Sequence, residues 1–484
     1  MTVTRSGGLA LLLAGSATLA ACAAIPDLGT RPEIRPVEQL ASAQSLSGSP
    51  ATWPGSGWWK AYKDPQLDRL INEAITGAPD LKAAAARLRQ AQGYAQQAHA
   101  ALVPAIDAST SATLVQQSEN QGVPAAFVPD GWKDSGRLGL GFSLDLDLWG
   151  KNRAALAAAK ADAEGARFEW EEAQLVLATG IAATYADLAK LHAQRDVIAA
   201  TVANREQSLR LVADRATVGL DNQMALRQAR SRFKGMRAEL AATDEAIALT
   251  RNAIAALMGA GPDRALSITR PTVALETVRG VPADASIALI GRRPDIAAAR
   301  TQVEASASRI KVARAAFYPN INLSGLIGLQ SLGLGDLLKS GSAYGNVGPA
   351  VTLPIFHGGA LSGQYRTARG QYDEAVARYD AAVVQALREV ADVMASRNML
   401  ATRLGESRQA LDDAQAAYSL ARARYERGLS NYLDLLSTEE TVLQARRSTA
   451  ELETRAFTLD IAMIRSLGGG FTTIGRTFPC LDIS

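Results

Sequence analysis

The chain repeats itself at a nearly constant interval, and this repeat restricts the fold more than any other feature of the 484-residue sequence. Four landmarks recur in the same order, between 207 and 215 residues further along. They are Pro79-Asp80-Leu81 and Pro294-Asp295-Ile296, Pro104 and Pro319, Leu148-Trp149 and Ile355-Phe356, and the pair Arg215 and Gly219, which returns as Arg424 and Gly428. Ordered self-similarity of this kind indicates one structural unit present twice. The chain is therefore a tandem duplication, with its halves predicted at residues 58–260 and 261–470.

An amphipathic helix is predicted at the start of each half, followed by two strand-like segments. The helices are predicted from about Asp64 to Val103 and from about Arg293 to Tyr318, and each stops before a proline, which disfavours a helical conformation in the preceding residue. The strands are predicted at Ile106–Gln117, Gly136–Leu148, Ile321–Gln330 and Asn346–Phe356.

The second strand segment alternates with a period of two. From Leu138 to Leu148 every second residue is leucine or phenylalanine, and the residues between them are small or acidic. This pattern places the apolar side chains on one face. Segments of about ten alternating residues are the weak signature of a strand in a membrane barrel. A soluble sheet edge is the alternative for any one segment taken alone.

Two very long helical stretches come next, at about Asn152–Thr217 and Leu361–Arg427. Neither contains proline, and at 1.5 Å per residue each would run about 100 Å. Apolar residues between Tyr365 and Met394 recur at spacings of three, four and seven, as in a coiled-coil seam. A soluble coiled coil would explain these helices but not the strand pairs that precede them.

The N-terminal residues indicate export and lipidation. Residues 1–21 are predicted to be a lipoprotein signal peptide, with a positive charge at Arg5 and an apolar run too short to span a bilayer. Leu19-Ala20-Ala21-Cys22 is a close match to a lipobox, which predicts an S-diacylglycerol and an N-acyl chain on Cys22. An ordinary secretory signal with an incidental cysteine is the alternative. Residues 22–57 contain five prolines and are predicted to be an extended tether, and residues 471–484 a C-terminal tail.

Charge and composition argue against several other classes of protein. The formal net charge is only +3, which gives no support to nucleic-acid binding, since that normally needs a clustered basic face. The three histidines, His99, His192 and His357, have no metal-ligand or nucleophile partner at a useful spacing. We therefore expect no catalytic residues, no metal and no cofactor other than the covalent lipid.

A series of short motifs resembles the outer-membrane efflux protein family, which includes TolC-like and OprM-like channels and, most similar in pattern, the NodT-type efflux lipoproteins. The resemblance covers almost the whole mature chain. Its motifs are Trp59 with Asp64-Pro65-Gln66-Leu67, Pro79-Asp80-Leu81, Asp147-Leu148-Trp149-Gly150, Arg292-Arg293-Pro294-Asp295-Ile296, Phe317-Tyr318-Pro319, Leu353-Pro354-Ile355-Phe356, Arg424-Tyr425-Glu426-Arg427-Gly428-Leu429 with Tyr432-Leu433-Asp434, and Leu467-Gly468-Gly469-Gly470. Each motif is weak alone, but the ordered and duplicated set is specific.

The resemblance implies a mainly α fold with a small β part. Three copies would form a periplasmic α-helical tunnel and a shared 12-stranded transmembrane β-barrel, four strands from each subunit. The implied function is that of the outer-membrane channel of a tripartite efflux pump, lipid-anchored in the cell outer membrane. It would passively conduct small molecules from a periplasmic adaptor and an inner-membrane pump of the RND type. The alternatives are an exit duct for type I protein secretion and a lipid-anchored periplasmic coiled-coil scaffold.

The resemblance also implies two sites near the hairpin turns. Val218-Gly219-Leu220 and Arg427-Gly428-Leu429 match the tips that meet the adaptor, although both glycines would also serve as simple helix caps. Tyr425, Leu433 and Asp434 match the periplasmic gate, and a solvated Asp434 with no gating role is the alternative. The sequence departs from the family at Ala225 and Ser437, where acidic residues are common.

Overall fold

The computed structural model describes residues 25–42, 44–46, 51–120, 122, 124–273 and 278–473. The predicted signal peptide, the predicted lipidation site Cys22 and most of the C-terminal tail lie outside these residues. The described chain contains seven helices longer than one turn: α1 Pro65–Gly77, α2 Pro79–Ala100, α3 Lys151–Thr217, α4 Gln223–Leu257, α5 Pro294–Ala315, α6 Ala360–Glu426 and α7 Tyr432–Ser466. Single helical turns occur at Asp263–Leu266 and Ala285–Ala288. The strands are β1 Ala105–Val115, β2 Lys133–Asp145, β3 Asn320–Leu332 and β4 Ala343–Thr352.

The helices of the two predicted halves have matched lengths, as a tandem duplication predicts. The long helices α3 and α6 both have 67 residues, and the helices that follow them, α4 and α7, both have 35. The helices before the strands, α2 and α5, both have 22. The predicted bounds of the two longest helices agree with the structure to one residue, because each is an uninterrupted proline-free run that ends shortly before a glycine.

Several predicted boundaries are wrong. The helices that precede the strands end three residues earlier than predicted, at Ala100 and Ala315, and β2 and β4 begin three residues earlier, at Lys133 and Ala343. Three other differences stand out. The helix predicted from Asp64 to Val103 is two helices, since Pro79 forces Ala78 into an extended conformation with ψ of 127°. β2 ends at Asp145 rather than at Leu148, because Asp147 takes a left-handed conformation with φ of 45°. The last strand ends at Thr352 rather than at Phe356, two residues before Pro354.

The chain divides into two compact units. The strand unit comprises residues 25–34, 87–166 and 299–379, and the hairpin unit comprises residues 35–86, 167–298 and 380–473 of the described chain. In the strand unit, four antiparallel strands form one sheet in the order β1-β2-β3-β4. The outer edges of β1 and β4 have no partner strand within the described residues. Of the helices described, none is both long and apolar enough to cross a membrane.

The hairpin unit has its main core around the start of α1. Asp64 is buried, and its carboxylate accepts the N–H groups of Gln66 and Leu67, which caps the helix. The same carboxylate accepts the Tyr185 hydroxyl at 2.8 Å and the Thr272 N–H at 3.0 Å. Burial by itself would raise the pKa of Asp64, but these hydrogen bonds outweigh it and lower the pKa. The capping motif that precedes α1 therefore also joins three segments of the core.

Candidate functional site

One face of the four-stranded sheet is almost entirely apolar. The register of the three strand pairs places the following residues on it: Ile106, Ala108, Leu138, Leu140, Phe142, Leu144, Ile321, Leu323, Ile327, Leu329, Val347 and Val351. Many of these side chains are open to solvent in the single chain; Ile106, Ile327 and Val347 are each at least 70% exposed. A large exposed apolar surface marks a membrane or protein contact.

The opposite face of the sheet is polar. It carries Asp107, Ser109, Arg137, Ser143, Asp145, Asn322, Ser324, Gln330, Tyr344 and Asn346. Arg137 donates to the amide oxygen of Gln330 at 3.0 Å, and its guanidinium lies 5.5 Å from the centre of the Tyr344 ring. Strands between lipid and water need this arrangement, with an apolar outer side and a polar inner side.

The two predicted tips have the same backbone geometry. Gly219 and Gly428 have φ of 78° and 76°, a left-handed conformation that glycine adopts without a steric penalty. In each tip the next leucine donates its N–H to the carbonyl five residues back; the pairs are Leu220 with Arg215 at 2.8 Å and Leu429 with Arg424 at 2.9 Å. These bonds end α3 and α6 in the Schellman arrangement. The glycine caps expected from the sequence are therefore present.

Each tip continues into a helix that begins with an asparagine cap. The side-chain oxygen of Asn222 accepts the Ala225 N–H at 2.9 Å, and that of Asn431 accepts the Asp434 N–H at 3.0 Å. Neither asparagine is among the residues predicted to be functional. The signal was available, because asparagine is a preferred residue just before the first turn of a helix.

The predicted adaptor-contact residues are exposed at both tips. Val218 is 70% exposed, and Leu220 and Leu429 are each 65% exposed. Arg427 is exposed beside them. Exposed apolar side chains grouped on a turn favour contact with a protein partner. Their contact with an adaptor stays a prediction.

Tyr425 lies in a buried polar cluster that joins the two tips. Its hydroxyl donates to Asp221 at 2.6 Å, and Arg215 donates to the same carboxylate oxygen at 2.8 Å. The Arg215 guanidinium also lies 4.7 Å from the centre of the Tyr425 ring. Burial and the bond to Asp221 raise the pKa of Tyr425, so the phenol stays protonated and able to donate. Asp221 directly follows the first tip and Tyr425 lies two residues before the second, so this cluster connects the two hairpins.

The other two predicted gate residues lie in the first turn of α7. The side chain of Leu433 is half exposed. The Asp434 carboxylate is exposed, and its backbone N–H is the group that Asn431 caps. A carboxylate in the first turn also interacts favourably with the helix dipole. Asp434 therefore has a local structural role, and its membership of a gate stays a prediction.

The two departures from the family pattern occupy different environments. Ala225 is 8% exposed and packs in one cluster with Tyr425 and Tyr432. An acidic residue in its place would place a carboxylate among these side chains. Ser437 is exposed and donates its hydroxyl to the Asp434 carbonyl at 3.0 Å.

Residues 29–32 of the predicted tether lie along α6 within the strand unit. Arg369 donates to the carbonyls of Gly29 and Thr30, and the Tyr372 hydroxyl donates to the Pro32 carbonyl at 3.2 Å. Over these residues the tether and the helix advance in the same direction.

Within the described chain, no group of three or more His, Cys, Asp or Glu side chains could hold a metal ion. The expectations of no enzyme activity, no metal and no cofactor stay predictions.

A sheet with one apolar face, joined to paired helices of 67 and 35 residues, is the subunit architecture of an outer-membrane channel. The model of the outer membrane efflux protein family matches residues 70–260 and 287–469. The chain belongs to the outer membrane efflux protein family.

Relatives of known name agree with this assignment. The multidrug resistance outer membrane protein MdtP of Escherichia coli K12 is 30% identical over 96% of both chains. The fusaric acid resistance protein FusA of Burkholderia cepacia is 35% identical over 75% of this chain and 69% of its own length. Among solved structures, the outer membrane protein VceC of Vibrio cholerae is 43% identical and superposes with a TM-score of 0.83, covering 87% of this chain and all of the other.

Proposed function

We propose that this chain is one subunit of a homotrimeric channel in the outer membrane, which conducts small molecules out of the cell as the last component of a tripartite efflux pump. The observation that carries this proposal is the open sheet with one apolar face. Relatives named for resistance to fusaric acid and to multiple drugs favour small molecules over secreted proteins as the cargo.

The sheet supports trimerisation because it is incomplete. Four strands leave the outer edges of β1 and β4 unpaired within the described residues, and lipid cannot satisfy such backbone groups. Copies of the chain arranged head to tail in a ring would pair β4 of one subunit with β1 of the next. Three copies supply 12 strands, the number that the family resemblance implies, with the polar faces turned toward a water-filled lumen.

The path of the tether supports a lipid anchor on Cys22. The seven residues from Cys22 to Gly29 can span at most about 25 Å. Arg369, which binds the Gly29 carbonyl, lies nine residues beyond the start of α6, or about 14 Å along the helix. A lipid on Cys22 can therefore reach the membrane at the helix end of the sheet.

The two tips support a contact with a periplasmic adaptor, and through it with an inner-membrane pump. Both present exposed leucines on glycine turns of the same geometry. The cluster of Asp221, Arg215 and Tyr425 holds these tips together, and we propose that the gate opens when it separates. Leu433 would narrow the closed passage.

Reconstitution of the purified full chain tests the function. We expect trimers that resist detergent, migrate differently after heating and form ion-conducting pores in a planar bilayer. A lipid-anchored scaffold without membrane strands would give neither heat-modifiable trimers nor pores, and either absence would contradict the proposal. Mass spectrometry of the Cys22→Ser variant tests the anchor separately, since loss of the lipid mass should leave pore formation intact.

A further inference from the structure

A cationic groove lies between α3 and α5, where these helices meet the sheet. It has a volume of about 600 Å³. Its floor is made of small residues, and its rim combines aromatic and basic side chains. The lining residues on which the inference depends are Trp149, Arg153, Lys311, Arg314 and Tyr318. No acidic residue is among those that the structure places around the groove.

Two of the three cations in the groove are available to a ligand. Arg153 is already neutralised, because its side chain binds the Asp147 carboxylate at 3.1 Å. Lys311 and Arg314 are exposed and make no ion pair within the described residues. They are three residues apart on α5, so they share one face of the helix. The groove therefore carries two positive charges that are not neutralised, and both side chains lie on the same face of α5.

The aromatic residues place the groove at a membrane boundary. The Trp149 and Tyr318 rings stack with their centres 4.8 Å apart, and the Trp149 indole donates to the Pro319 carbonyl at 2.6 Å. They lie next to the strand ends at Asp145 and Asn320. Tryptophan and tyrosine concentrate at the level of lipid headgroups, and the headgroup layer extends several ångströms beyond the hydrocarbon.

A second cavity adjoins the groove at the strand ends and shares Trp149, Ala315 and Tyr318 with it. This second cavity is also lined by Lys151, by Ile321 of the apolar face and by the strand ends Asp145, Asn320 and Thr352. Strand pairing places those three strand ends on the polar face. Lys311 and Arg314 line the groove and not this second cavity, so the strand ends of the polar face are not among the residues that surround them.

We propose that this groove binds the phosphate of a phospholipid headgroup, with Lys311 and Arg314 on the phosphate and Trp149 beside the start of the acyl chain. The ligand class is an anionic phosphodiester lipid such as phosphatidylglycerol. The proposal rests on the proposed membrane channel, since the groove meets lipid only if the sheet spans the membrane.

Native mass spectrometry of the detergent-solubilised full chain tests the proposal. The probes are phosphatidylglycerol, phosphatidylcholine and inorganic phosphate. We expect wild-type trimers to retain up to three phosphatidylglycerol molecules in preference to phosphatidylcholine. A cation near a membrane surface contributes about a fivefold gain in affinity, so the Lys311→Gln/Arg314→Gln variant should bind phosphatidylglycerol about 30-fold more weakly. The matched control is Lys160→Gln/Arg366→Gln, which removes two exposed cations outside the groove and should leave lipid retention unchanged.

Three results would overturn the proposal. The first is equal retention of both lipids by the wild type, as expected if a neighbouring subunit covers the groove. The second is an equal loss of phosphatidylglycerol in the test and control variants. The third is displacement of the lipid by millimolar inorganic phosphate, which would assign the groove to the free anion. Pore formation by the same samples separates these outcomes from failure of the channel function, because trimers that conduct without lipid preference refute only the groove.

Discussion

Replacement of Tyr425 by phenylalanine should favour the open state of the channel. The substitution removes one hydroxyl and keeps the buried ring against Arg215 and Tyr432. The lost interaction is the 2.6 Å hydrogen bond from the hydroxyl to Asp221. That bond connects the two tips, so we expect their separation to become easier.

The size of the expected change in the ratio of open to closed states depends on the partners that Asp221 keeps in the variant. A hydrogen bond to a charged group is worth about 1.5–3 kcal/mol. The lower end applies here, because Asp221 keeps Arg215 at 2.8 Å and no buried charge is left unpaired. About 1.4 kcal/mol corresponds to a tenfold change in the ratio of open to closed states for each subunit. If the three subunits of the proposed trimer open together, the factors multiply to about a thousandfold.

Single-channel recording in planar bilayers measures this ratio directly. Tyr432→Phe is the matched control, since Tyr432 is equally buried in the same cluster but its hydroxyl makes no hydrogen bond within the described residues. Its open probability should equal that of the wild type. An unchanged open probability in Tyr425→Phe, or an equal rise in both variants, would refute a gating role for the bond to Asp221.

Two further substitutions test other parts of the hairpin unit. Leu433→Ala should raise single-channel conductance, because Leu433 is proposed to narrow the passage. The control Leu429→Ala, at the exposed tip, should not change it. Unchanged conductance in Leu433→Ala would remove Leu433 from the gate. Burial, followed by the nearby Asp295 carboxylate, raises the pKa of Glu172 from 4.5 to about 7. The folded protein therefore loses stability as pH rises through that window, by up to about 3 kcal/mol per subunit. Glu172→Gln should abolish this decline in thermal unfolding measured between pH 4.5 and 8, and a decline equal to that of the wild type would contradict the assignment.

The long helices were predictable because their sequence signals are local. The proline-free runs ending at Gly219 and Gly428 fix where α3 and α6 stop. Because the chain is duplicated, the end of each long helix could be predicted a second time from the corresponding helix in the other half. The break between α1 and α2 was also predictable, because Pro79 disfavours a helical conformation in Ala78.

The polar tie between the tips was not predictable from local patterns. Asp221 and Tyr425 are 204 residues apart, and nothing in the sequence near Asp221 indicates a buried partner. The early end of β2 has a similar origin. The Asp147 carboxylate accepts the N–H groups of Asn152 and Arg153, so a residue that continues the strand alternation in sequence serves instead as the cap of α3.

The equal lengths of the paired helices limit which insertions the chain tolerates. One added residue in α3 would advance everything beyond it by about 1.5 Å and rotate it by about 100°. Val218 and Leu220 would then face a different direction from Leu429, and Asp221 would turn away from Tyr425. Natural variation in the length of these helices should therefore occur in whole turns and in both halves at once. Insertions of a single residue should be confined to the connections between strands, such as residues 116–132. Among distant relatives, a change of length in one long helix should be accompanied by the same change in the other.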